Sequence, residues 1–159
     1  MPSWAQRPQA AAAFLNPALV AAVAATAARD YERGSSGRLM PWPMVFLVAP
    51  LVLHRPTRQV LPASTRTHLT SWVASHPALV AGLPSRGTSL APAVREGLRF
   101  GLRHRMLTIE QGCLKSGVVS KSRTEGELAD LIKAASMVGR WIAKSDSPST
   151  VFALLGVRP

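Results

Sequence analysis

Between Pro43 and His54 every position is apolar or proline, and the run from Pro41 to His54 is the densest block of large aliphatic and aromatic side chains in the chain. A helix that crosses a bilayer needs about 20 such residues, so this shorter run predicts a segment buried in a core. Val45, Phe46, Leu47, Val48, Leu51, Val52 and Leu53 leave no polar face, the pattern of an element covered on all sides. Pro43 suits a first helical turn, and Pro50 is expected to kink or break a helix interior. The alternative is an exposed hairpin that binds a partner or enters a membrane. His54 to Arg58 (HRPTR) ends the run with charge and a second proline.

Elsewhere the apolar positions are periodic. Residues 1–15 read as a lead-in. Asn16 has the chemistry of an N-cap, with Pro17 in the first helical position. Leu19, Val23, Ala27 and Tyr31 then make one face of an alanine-rich amphipathic helix ending near Gly34. Residues 55–64 read as extended, around Pro56 and Pro62. A helix from Ser64 or Thr65 carries Leu69, Trp72 and Val73 until Pro77 stops it. A short turn and a loop from Pro84 to Ser89 follow, with Arg86 exposed. Leu90, Val94, Leu98 and Leu102 predict the buried stripe of the next helix. Leu107 and Ile109 alternate with polar residues, Gln111-Gly112 supplies a turn, and Cys113 to Lys115 returns, which predicts a β-hairpin near residues 106–119. Thr124 and Glu127 have capping-box spacing before a helix with Leu128, Leu131, Ile132, Ala135, Val138 and Ile142 on one face. Ser147-Pro148 opens a last short element. The reading is a mainly α chain with a small β-hairpin, one compact domain over 16–159. The order between residues 65 and 119 is that of a winged helix-turn-helix.

Charge changes this picture most. Lys and Arg number 19 against 8 Asp and Glu, a formal net of +11. Such an excess implies an acidic partner: nucleic acid, an anionic membrane face or an acidic protein surface. Arg95, Arg99 and Arg103 repeat every four residues, about 100° round the helix from its apolar stripe. From Arg99 to Arg123 there are six cations and one acid, Glu110. The candidate patch for nucleic acid or an acidic partner is therefore Arg95, Arg99, Arg103, Arg105, Lys115, Lys121 and Arg123. No Asn or Gln accompanies the arginines on that helix, which favours phosphate or carboxylate contact over base reading.

Candidate chemistry is sparse. One cysteine, Cys113, excludes a disulfide framework and a cysteine-based zinc site, and it fits a reducing cytoplasm. The alanine run after Arg7 imitates an export signal, but Asn16-Pro17 interrupts it. His54, His68, His76 and His104 have no metal-type spacing and read as surface or capping groups. Neither a phosphate-cradling loop nor a nucleophile elbow is present. No catalytic residue, cofactor or metal is expected. Composition and spacing alone give a compact basic adaptor.

Several stretches together resemble the middle component of bacterial three-component ABC systems, the group that includes Lamassu-type defence. They are Asn16 to Leu19 (NPAL), Phe46 to Arg58 with Leu61-Pro62, Trp72, Gly139 to Trp141 (GRW) and Leu154 to Pro159 (LLGVRP). The resemblance implies a non-enzymatic cytoplasmic subunit whose partners are an SMC- or Rad50-like ABC ATPase and an effector, often a nuclease. DNA would then be met through the complex, without a membrane role. The second reading is a free-standing winged-helix regulator that binds DNA, as a dimer, at a defined site.

Overall fold

The helix at the centre of the fold is the alanine-rich one, α1 (Pro17–Gly34). Asn16 caps it, its side chain accepting from the Ala18 N–H at 2.8 Å. From Val20 to Ala28 every residue but Ala22 is buried. The sequence predicts one buried face; the structure buries almost the whole circumference. The reason is width: alanine and small β-branched side chains let neighbouring backbones approach from several directions. A computed structural model describes residues 15–117 and 125–158 of the 159.

After a turn the chain forms β1 (Met40–Pro41), a single 3-10 turn over Trp42–Met44, and α2 (Val45–Leu53). The core assignment of this run is correct: Val45 and Leu47 to Val52 are buried. The expected break at Pro50 does not occur, and the helix continues to Leu53. Proline removes the donor that would meet the Phe46 carbonyl. That carbonyl instead faces α6, where a Cβ added at Gly87 would stand 3.8 Å away.

Residues 55–59, expected to be extended, form α3 (Arg55–Gln59). His54 caps it, its Nδ1 accepting from the Thr57 N–H. Burial and the nearby Arg86 charge lower the His54 pKa, which keeps the ring neutral and able to accept. Pro56 lies in the first turn, where a missing N–H costs nothing. Residues 60–68 cross the surface, pinned by two indoles: Trp72 Nε1 donates to the Val60 carbonyl at 2.8 Å and Trp141 Nε1 to the Thr67 carbonyl at 2.7 Å. The two rings meet edge to face with centroids 5.4 Å apart. The next helix, α4, therefore begins at Leu69 (Leu69–Ser75), later than Ser64 or Thr65.

A short α5 (Pro77–Ala81) leads into α6 (Leu83–Arg103). The loop expected at residues 84–89 is the start of that helix, with Pro84 in its first turn. Arg86 is half-buried and donates to the Leu79 carbonyl. Along α6 the buried stripe is Leu83, Gly87, Val94, Gly97, Leu98 and Gly101, and Leu102 is exposed instead. Glycines replace the expected leucine because α6 lies close on α1: a Cβ at Gly101 would stand 3.3 Å from the Ala21 Cβ.

The hairpin is β2 (Leu107–Glu110) and β3 (Cys113–Ser116), turned by Gln111 and Gly112, both at positive φ. Such a two-residue turn matches the twist of paired strands. β1, unseen in the sequence, pairs Met40 with Leu114, making a three-stranded antiparallel sheet of order β1-β3-β2. Two residues are too few to show an alternating pattern.

α7 (Glu127–Ile142) packs along α1 and touches α2. Glu127 is its first residue, with Gly126 before it, and Thr124 lies outside the described residues. Leu128, placed on the buried face by periodicity, is exposed, as are residues 125–127 before it. α8 (Pro148–Leu154) is capped by Ser147 and packs on α4. The whole is a mostly helical single domain, with α1 between α6 and α7 and with α2 against all three.

Asp30 is the charged residue buried at the α1–α7 contact, 4% exposed. Burial alone would raise its pKa. Hydrogen bonds from Arg29 and Ser136 and the charges of Arg29 and Arg33 outweigh that and hold it below its ordinary 3.8. A depressed carboxylate pKa contributes stability above the ordinary value, and that contribution is lost as pH falls through the folded value. Asp30→Asn is therefore expected to lower stability at neutral pH by about 1–2 kcal/mol, discounted because Arg33 is largely exposed. It should also flatten the loss of stability below about pH 4. Urea unfolding at pH 7 and pH 3 checks both; an equal deficit at the two values would contradict the assignment.

Candidate functional site

The sequence places the candidate site on the outer face of α6, and four patch residues lie exposed there or beside it. Arg95, Arg99 and Arg103 are all exposed and recur every four residues, so they form one strip about 12 Å long. The same helix spends its opposite side on α1 and α2 through Gly87, Val94, Gly97 and Gly101. Arg105 is exposed at the turn into β2, with φ of 57°. His104 is exposed, and its ring lies tilted against Phe100 with centroids 4.2 Å apart.

Lys115 is exposed on β3, but its Nζ pairs with Glu110 Oε1 at 3.3 Å across the hairpin. An exposed pair of this kind is worth at most about 1 kcal/mol, yet it offsets the lysine's charge. Lys115 therefore contributes less field than the arginines. Lys121 and Arg123 lie outside the described residues. The structure thus unites Arg95, Arg99 and Arg103, adds Arg105 at one end, and leaves Lys115 paired on the hairpin.

A second cationic cluster escaped the sequence. Arg55, Arg58, Lys133 and Arg140 line a cleft of about 720 Å³ between α3 and α7, with Glu127 and Asp130. Arg58 is committed to the fold: it donates to the Val52 carbonyl at 2.7 Å and pairs with Glu127 at 3.0 Å. Lys133 and Arg140 fall seven residues apart on α7, a signal the sequence holds. Arg55 joins them only because residues 55–59 are helical.

Three of the histidines have local contacts, His104 with Phe100 among them. His54 caps α3, and His76 lies on the Trp72 ring with its Nδ1 2.9 Å from the Trp72 carbonyl. Among the described residues there is no group of three His, Cys, Asp or Glu side chains placed to hold a metal ion. No described helix is long and apolar enough to cross a membrane.

The elements α4, α5, α6, β2 and β3 come in the order helix, short helix, helix and hairpin. In space, α6 packs on α1 and α2, while α4 packs on α8.

Several of the residues behind the sequence resemblance are structural. Asn16 caps α1, Trp72 and Trp141 pin residues 60–68, and Gly139 allows α7 to touch the α1 backbone at Ala27. Comparison with curated proteins and with solved structures found no match. The family model for the ABC-three component (ABC-3C) system Middle Component 3 matches residues 4–159. With nearly the whole chain matched, the protein belongs to that family, and it is one component of a multi-subunit ABC-3C system.

Proposed function

We propose that this chain is a non-enzymatic adaptor that couples an SMC- or Rad50-like ABC ATPase to an effector such as a nuclease, in cytoplasmic defence of the Lamassu type against phage or plasmid DNA. The observation that carries the reading is the exposed arginine strip on α6, in a chain whose family works alongside partner subunits. The fold uses the other side of α6, so the strip is free of a structural duty. Guanidinium groups in a row suit carboxylates or phosphates equally. The partner is met through this strip, and DNA is met in the assembled complex.

The test is recovery of the tagged chain from its host after nuclease treatment and a high-salt wash, read by mass spectrometry. An ABC ATPase in fixed ratio is the expected result. Recovery of the chain alone as a homodimer would favour the winged-helix regulator and overturn the adaptor. The double variant Arg99→Glu/Arg103→Glu is expected to keep its melting temperature within about 2 °C, since exposed substitutions rarely shift stability. Its association should weaken at least tenfold, about 1.4 kcal/mol. Unchanged association would remove the strip from the interface.

A further inference from the structure

A second concave surface lies at the start of the arginine strip. Trp42, Pro43 and Phe46 form one wall, Pro84, Gly87, Thr88 and Ala91 of α6 the floor, and Phe152 and Val157 the far wall. The space is about 650 Å³. Trp42 is 43% exposed, although Phe46 holds its ring edge to face at 6.0 Å. A large, fixed, half-uncovered indole is the kind of group that anchors an interface. Gly87 keeps the floor low, since an added Cβ would meet only the Phe46 carbonyl.

The charged groups that line this groove are Arg95 and Arg158, both cationic. Arg95 is also the first member of the strip, so the groove opens onto Arg99 and Arg103. The matching occupant carries apolar anchors for the floor and carboxylates for the rim and the strip. A polypeptide segment fits this better than nucleic acid. The walls set three aromatic rings among proline and aliphatic groups, but Trp42 and Phe46 meet edge to face at 6.0 Å and do not form a row of parallel platforms for successive bases.

We propose that this groove is the docking site for an acidic segment with apolar anchors from the ABC ATPase subunit. The proposal rests on the adaptor reading and names its contact. Trp42 and Phe46 receive the anchors, and Arg95 and Arg158 receive the flanking carboxylates.

The experiment uses the full chain co-expressed with the ABC ATPase subunit of its own system. Thr88, exposed at the groove, is replaced by a photoreactive benzophenone amino acid, and the crosslinked peptide is sequenced by mass spectrometry. The expected product is an ATPase peptide with net negative charge and large apolar residues. Trp42→Ala and, separately, Gly87→Gln, which fills the floor from within a helix, should each weaken the complex at least tenfold with little change in melting temperature. A complex that forms without that crosslink, or with both variants at full affinity, overturns the groove and leaves the adaptor standing. A crosslink to residues 1–14, to a second copy or to DNA overturns it as well. Failure to form any complex overturns the adaptor reading and this proposal together.

Discussion

Gly139→Ala is expected to destabilise the protein by about 3 kcal/mol, although alanine is the better helix former by about 1 kcal/mol. Gly139 lies inside α7, facing α1. A Cβ there would run into the backbone of Ala27, meeting its carbonyl oxygen and lying 3.0 Å from both C and Cα. Side chains can swing aside; the backbone of a helix buried on nearly all sides cannot. Relief requires moving α7 away from α1, which loosens the most extensive helix pair in the core. For a chain of this size the cost corresponds to a melting temperature lower by roughly 9 °C. Gly87→Ala is the control. It too is a glycine inside a helix, but its Cβ would meet only the Phe46 carbonyl at 3.8 Å. The propensity gain is then uncancelled, and Gly87→Ala should stabilise by up to about 1 kcal/mol. Thermal melts of the two variants decide the matter; shifts of the same sign would mean that α7 does not cross α1 as described.

Leu51→Asp is expected to abolish cooperative folding. Leu51 has no exposed surface and lies in α2, which touches α1, α6 and α7. Losing the buried leucine removes about 2–3 kcal/mol of apolar transfer. The carboxylate would be left without a partner, at a further cost of several kcal/mol. The sum approaches the 5–15 kcal/mol that holds a typical domain together. Near-ultraviolet circular dichroism should lose its fixed aromatic signal, and no sharp thermal transition should remain. Leu128→Asp is the comparison, since Leu128 is exposed in the first turn of α7, where a carboxylate suits the helix dipole. Its effect should stay within about 0.5 kcal/mol. A soluble, cooperatively folded Leu51→Asp protein would mean that residues 41–54 are an exposed binding element, the alternative that their composition also allowed.

Local signals were strong where one residue type serves one backbone need. Asn16-Pro17 marked the start of α1, and Ser147-Pro148 that of α8. Gln111-Gly112 marked the hairpin turn, whose two positive φ angles few other residue pairs accept. The arginine strip was legible too, because a four-residue repeat on a helix keeps its members on one side whatever the helix packs against.

Other assignments required knowledge of the neighbours. Leu102 and Leu128 carry the buried-face period yet stand exposed, since periodicity gives a direction but not whether a neighbour lies there. Residues 55–59 and 84–89 read as irregular because proline marks a break and a first helical turn alike. The second cationic cleft joins α3 to α7, and the groove at Trp42 joins three segments far apart in sequence. What the sequence by itself determined was the helical class, the buried core of the run at residues 41–54, the hairpin, the basic strip and the resemblance to ABC-system middle components. Only the tertiary structure decided that the alanine-rich α1 is the hub, that Gly97, Gly101 and Gly139 are contact points, and which apolar side chains stay uncovered. The physical reason is that a glycine or an alanine carries almost no pattern of its own. Its value lies in how close another backbone can come, and that distance exists only once both helices are in place.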